Sequence, residues 1–156
     1  MDRDTKITIA LLYEKLSLLQ RLLDYFMAKI KTRLQERIEL WAEGIKISEG
    51  WFLGSKSWRL KNPGNLKYAG QPGAIGKDKT GIAEFGSYEA GWSALLKQLE
   101  IAVDGTSKNY SPDMPLYAFT KKYADLPDGK ELANYIFNIT KRLKVAPEIK
   151  IKDIIV

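Results

Sequence analysis

Residues 5–43 contain neither proline nor glycine, and their apolar positions recur at helical spacing. Leu12, Leu16, Leu19, Leu23, Phe26 and Ile30 follow at intervals of 4-3-4-3-4, an a/d seam of the kind helices use to pack along one stripe. The rhythm loosens to 4-4-3-4 through Leu34, Ile38, Trp41 and Ile45. A single helix over residues 5–43 would be about 58 Å long at 1.5 Å per residue, longer than a compact domain needs. Two arrangements follow. The favoured expectation is a break or bend near Lys29–Arg33 that folds the first helix back onto the domain; the other is a coiled-coil stalk that self-associates or tethers.

From Gly44 the texture changes. Turn residues crowd the stretch from Gly50 to Gly81, with Pro63-Gly64-Asn65 and Gly70-Gln71-Pro72-Gly73 as the densest clusters. The expected strands are Leu66–Tyr68 and Ile82–Phe85, joined through a turn at Lys77–Gly81. Ser87 can cap a helix whose core stripe is Trp92, Leu95, Leu96, Leu99 and Val103. A short helix with Leu116, Phe119 and Tyr123 follows, and a last one spans about Lys130–Lys144 with Leu132, Tyr135, Ile136, Ile139 and Leu143 on one face. The Pro147 region ends it. The expected fold class is α+β, mainly α, with a small β-hairpin and a long N-terminal amphipathic helix. Residues 1–35 form the helical extension and 36–156 the domain.

Composition narrows the chemistry. The 156 residues carry 25 Lys+Arg against 19 Asp+Glu, a net charge of +6 that suits a polyanionic partner such as nucleic acid, an anionic membrane or a cell-wall polymer. The basic residues are spread along the chain, and no helix-turn-helix or RNP-like run gathers them, so a nucleic-acid partner is not expected. Glu14, Lys15, Arg21 and Asp24 interrupt the apolar stretch from Ile7 to Ile30, which argues against a membrane span. The start, Met1-Asp2-Arg3-Asp4, does not read as a secretory signal. The chain has no histidine and no cysteine, which removes His bases, Ser-His-Asp triads, thiol nucleophiles and His- or Cys-ligated metals. Acid–base chemistry then falls to carboxylates, Tyr or Lys.

Among these, Glu49 stands out. It ends an apolar helical run (Trp41, Ala42, Ile45) directly before Gly50-Trp51-Phe52-Leu53-Gly54. The negative end of the helix dipole and apolar neighbours both raise a carboxyl pKa. A carboxylic acid kept protonated near neutrality is what glycosidic cleavage needs to protonate the leaving oxygen.

Downstream, Arg59, Asn62-Pro63-Gly64-Asn65-Leu66-Lys67, Gly70-Gln71, Gly81-Ile82-Ala83-Glu84-Phe85, Ser87-Tyr88-Glu89-Ala90-Gly91-Trp92 and Leu116-Tyr117-Ala118-Phe119 follow in order. With Glu49-Gly50-Trp51, this series resembles a family of lysozyme-like domains in phage structural proteins and bacterial cell-wall enzymes. These are related in fold to lytic transglycosylases and goose-type lysozyme. The resemblance covers about residues 38–147. It implies a lysozyme-like fold, peptidoglycan β-1,4 linkages between N-acetylmuramic acid and N-acetylglucosamine as substrate, and Glu49 as general acid, with no cofactor or metal. It also implies a place in the cell envelope, outside the cell or on a virion. Two departures from the family are Arg59-Leu60-Lys61 before Asn62, where such domains often carry Arg-Asn-Asn, and Glu49-Gly50 in place of the Glu-Ser pair of many lytic transglycosylases.

A transglycosylase needs no second carboxylate, because the C6 hydroxyl of the sugar itself closes the ring. A hydrolase must hold a water on the opposite face, with carboxyls ~5–5.5 Å apart in retaining enzymes and ~6.5–9.5 Å in inverting ones. Asp78 in the turn is the first candidate for that work and Glu84 the second, each competing with a structural reading as turn brace or solvated strand residue. Asn62, Asn65 and Gln71 offer paired donors and acceptors for sugar hydroxyls and acetamido groups. Trp51, Trp58, Tyr68 and Tyr123 are candidate stacking surfaces, with Tyr123 also the candidate hydroxyl near the acid and Arg59 a candidate for substrate carboxylates. The competing functions are a non-catalytic wall-binding module and a phage or envelope structural module assembled through residues 5–35.

Overall fold

The computed structural model describes residues 3–155 and resolves into two units, Met1–Gln35 and Glu36–Val156. Helix α1 runs without interruption from Arg3 to Ser48. The break expected near Lys29–Arg33 is absent, because nothing in that stretch removes a backbone donor or forces a positive φ. The seam residues of the first unit stay in water, with Leu12, Leu16, Leu19, Leu23, Phe26 and Ile30 between 54% and 61% exposed.

In the second unit the same helix is buried. Ile38, Trp41, Ala42 and Ile45 are fully covered, and Arg37 donates to the carbonyls of Ile154 and Leu143 at 2.7 and 2.8 Å. Gly44 does not end the helix. A Cβ there would lie 2.8 Å from the Cα of Ile139, so glycine is what lets the α1 backbone approach helix α5, Lys130–Leu143. The short α2 (Lys56–Arg59), α3 (Tyr88–Asp104), α4 (Leu116–Ala124) and a 3-10 turn at Ile151–Ile155 complete the helical set. The core joins the buried stripe of α1 to Leu95 and Leu99 of α3, Leu116 and Phe119 of α4, Ile139 and Leu143 of α5, and Ile151 and Ile154 of the final turn. Trp41 meets Phe119 edge-on at 4.7 Å between ring centroids. Ser87 caps α3 by accepting from the Ala90 N–H, and Gly105 closes it in the left-handed conformation.

The sheet is a two-stranded antiparallel hairpin, β1 (Ala74–Lys77) with β2 (Ala83–Phe85), pairing Lys77 with Ala83 and Ala74 with Phe85 around a bulge. The expected second strand is present, one residue shorter. The expected first strand, Leu66–Tyr68, is reduced to a single bridge between Lys67 and Ile82. The segment keeps two cross-strand bonds, Ala83 N–H to the Leu66 carbonyl and Tyr68 N–H to the Gly81 carbonyl, while the Asn62 side chain takes the Leu66 N–H. Trp92, expected in the core, is only half-buried. It stacks on Tyr88 at 6.1 Å, with the Lys46 ammonium 5.2 Å above its ring.

Candidate active site

Glu49 is the residue at which α1 stops. Its N–H still bonds to the Ile45 carbonyl, while Gly50 N–H bonds to Ile47 and Trp51 N–H to Lys46. Those last two bonds make a Schellman cap, which requires a left-handed residue at position 50. Gly50 supplies it with φ +68°. Glycine after the acid is therefore a consequence of how the helix ends.

The Glu49 carboxyl turns inward. The Tyr135 hydroxyl donates to its Oε1 at 2.7 Å, and the side-chain amide of Asn65 is a second hydrogen-bond partner. Burial raises its pKa above the ordinary 4.5, and these two hydrogen bonds, which favour the charged form, only partly oppose that rise. Tyr135 is 5% exposed and sits one turn before Asn138, whose amide donates to Ser48 Oγ at 3.2 Å. Two side chains on one face of α5 thus hold the end of α1.

Two cavities meet at the acid. One, of about 370 Å³, is lined by Asn65, Lys67, Gln71, Gln98, Tyr110 and Tyr123 among others. The second, of about 350 Å³, is lined by Ser48, Leu126, Glu131, Asn134, Tyr135 and Asn138. Glu49 and Ala124 belong to both walls. The Glu49 carboxyl lies where the two hollows join.

The sequence candidates separate cleanly. Asn65, Gln71 and Tyr123 line the larger cavity with Glu49. Asn65 is held at φ +49°, and its buried Oδ1 has no hydrogen-bond partner among the described residues. Gln71 braces its own loop, accepting from Ala69 N–H and donating to the Lys67 carbonyl. Tyr123 does not reach the acid as expected: its hydroxyl donates to the Gly64 carbonyl at 2.6 Å, and the hydroxyl on Glu49 is that of Tyr135.

Asn62 is fully buried and bonds to Leu66 and Ala83, so it builds the loop and does not line the cavities at Glu49. Asp78 is likewise engaged in its own turn. It accepts from the Thr80 and Ile82 N–H groups and pairs with Lys56 at 2.7 Å. The Lys56 ammonium, helped by those bonds, holds its carboxyl well below the usual carboxylate range. Neither Asp78 nor Glu84, which sits opposite Gly76 in the hairpin, lines the cavities at Glu49.

Arg59, Trp58 and Tyr68 are exposed outside those walls, Tyr68 beneath the Lys77 ammonium at 5.8 Å. Trp51 packs on Tyr88 at 5.2 Å. What the sequence did not single out is the α5 face of Tyr135 and Asn138. A hydroxyl-bearing ring inside an apolar stripe, with an amide one turn on, was its only trace. No protein-family model, curated protein or solved structure matches this chain.

Proposed function

We propose that this protein cleaves the β-1,4 bond between N-acetylmuramic acid and N-acetylglucosamine in peptidoglycan, with Glu49 as its acid and then its base. The observation that carries the reading is a part-buried carboxyl of raised pKa at the junction of two cavities. A glycan strand crossing that junction would place sugars on either side of the acid. Amide groups along the walls, Asn65 and Gln71 on one side and Asn134 and Asn138 on the other, match hydroxyl and acetamido chemistry.

Glu49 donates its proton to the glycosidic oxygen as the C1–O bond breaks, and the departing sugar leaves with a neutral hydroxyl. The resulting carboxylate is steadied by the Tyr135 hydroxyl and the Asn65 amide. It then takes the proton of the muramic acid C6 hydroxyl while that oxygen bonds to C1. The product is a 1,6-anhydro ring and the acid is restored. The two hydrogen bonds favour the charged form that exists between the steps, and burial favours the protonated form that starts the cycle.

Mass spectrometry of soluble products from purified peptidoglycan tests this, with wild type beside Glu49→Gln. Anhydro-muramyl products from wild type alone are the expected result. Reducing-end muramic acid would replace ring closure by hydrolysis. A folded wild type that releases nothing from several wall types would overturn the catalytic reading in favour of wall binding.

A further inference from the structure

Within the first unit an apolar stripe lies exposed, as do Leu11, Leu18, Leu22, Tyr25 and Met27 outside it. Leu12, Leu16, Leu19, Leu23, Phe26 and Ile30 are each more than half exposed, whereas Ile38, Trp41 and Ile45 further along the same helix are fully covered. Contiguous apolar surface on this scale marks an interaction site. Its covering is what needs assigning.

We propose that residues 9–30 pair along this stripe with the same stretch of a second copy of this chain, as a coiled coil. The register is the first reason. Ile9 extends the seam to 9, 12, 16, 19, 23, 26 and 30, three full heptads at a mean spacing of 3.5. A straight helix drifts about 20° per heptad from that spacing, so only a partner that supercoils with it keeps the stripe covered. A flat lipid face imposes no such register.

Charge is the second reason. Between residues 9 and 30 the side chains of fixed charge are Glu14, Lys15, Arg21, Asp24 and Lys29, both signs interspersed for a net of only +1. A helix that lies on an anionic membrane lines its polar face with Lys and Arg. Here that face bonds within itself, Gln20 to Asp24 at 2.8 Å and Arg21 to Ser17 at 3.2 Å. Among the described residues no helix is long and apolar enough to cross a membrane. Arg33 falls at the next seam position, where a charge in the interface ends the apolar run at Ile30. A stripe that is apolar throughout complements itself, and the copy supplies it.

Sedimentation velocity of the full chain over a wide range of concentration is the test, beside Leu16→Glu/Leu23→Glu in the seam and Ala28→Glu on the opposite face. Wild type and Ala28→Glu are expected at the mass of two or more chains, and the seam variant at one, with thermal unfolding of the Glu36–Val156 unit unchanged. Leu16→Ala/Leu23→Ala keeps helix propensity while removing the packing groups, and should show weakened association even if the Glu pair leaves solution. A monomeric wild type overturns the proposal. So does a seam variant that stays assembled, which would move the interface elsewhere. Wild type that is monomeric alone but floats with phosphatidylglycerol vesicles would make lipid the occupant and equally overturn it.

Discussion

Substituting Gly91 by alanine tests how α3 fixes the loop that carries Asn65. Gly91 lies in the first turn of α3, and a Cβ there would stand 1.9 Å from the Lys61 carbonyl oxygen, 3.0 Å from its carbon and 3.1 Å from Pro63 Cδ. Carbon–oxygen contacts settle at about 3.3 Å or more, so the carbonyl must retreat by roughly 1.4 Å. It is poorly placed to do so. Lys61 already sits at φ +52°, its N–H bonds to Trp58, and the next residue is Asn62 with three buried hydrogen bonds. Both sides of the clash are backbone, which puts the overpacking cost near the upper end of the usual range, about 3 kcal/mol. Alanine returns about 1 kcal/mol of helix propensity over glycine. The net loss is about 2 kcal/mol, and at roughly 3–5 °C per kcal/mol for a unit of this size the melting temperature falls by about 6–10 °C. Thermal unfolding followed by circular dichroism reads this directly, with Gly76→Ala as control, since a Cβ at position 76 meets nothing within 4 Å. A Gly91→Ala melting temperature within about 2 °C of wild type would refute the reasoning.

Three other outcomes follow from the site. Tyr135→Phe removes a hydrogen bond that favours the charged form of Glu49, so burial acts with less opposition and the alkaline limb of kcat/KM moves to higher pH. The rate at the optimum falls about tenfold for the loss of roughly 1.4 kcal/mol of stabilisation; an unmoved limb would remove Tyr135 from the mechanism. The raised pKa of Glu49 also means that the folded protein holds more protons than the unfolded chain from pH 4.5 up to that raised value. Wild type therefore loses stability across that window relative to Glu49→Gln, with a constant deficit above it, measurable by urea unfolding at stepped pH. Asn62→Ala strands the buried Leu66 N–H and removes both amide bonds, costing about 3 kcal/mol in denaturant unfolding, whereas a substrate-contact role alone would leave stability intact.

What could be read in the sequence was what depends on neighbours in the chain. The 3.5 and 3.6 periodicities marked α1, α3, α4 and α5, because an amphipathic stripe is a local pattern, and Ser87 announced the start of α3 by its capping oxygen. Glu49 was legible for the same reason, a carboxyl at the last residues of an apolar helix before glycine. The turn at Asp78 was likewise local, bracing itself through Thr80 and Ile82.

Only the tertiary structure decided what those elements meet. Gly44 marked a change of texture in the sequence and is a close approach in the structure, because Ile139 comes from 95 residues further along the chain. Tyr135 and Tyr123 are alike in sequence, both aromatic on helical stripes. One points at Glu49 and the other at Gly64, because α5 rather than α4 packs against the end of α1 at that level. Asn62 and Asn65 share one motif, yet three residues of turn send the first into the core and the second to the acid. Local spacing sets which residue types are available; packing between distant segments sets which of them stand beside the carboxyl, and no periodicity within a single segment encodes that choice.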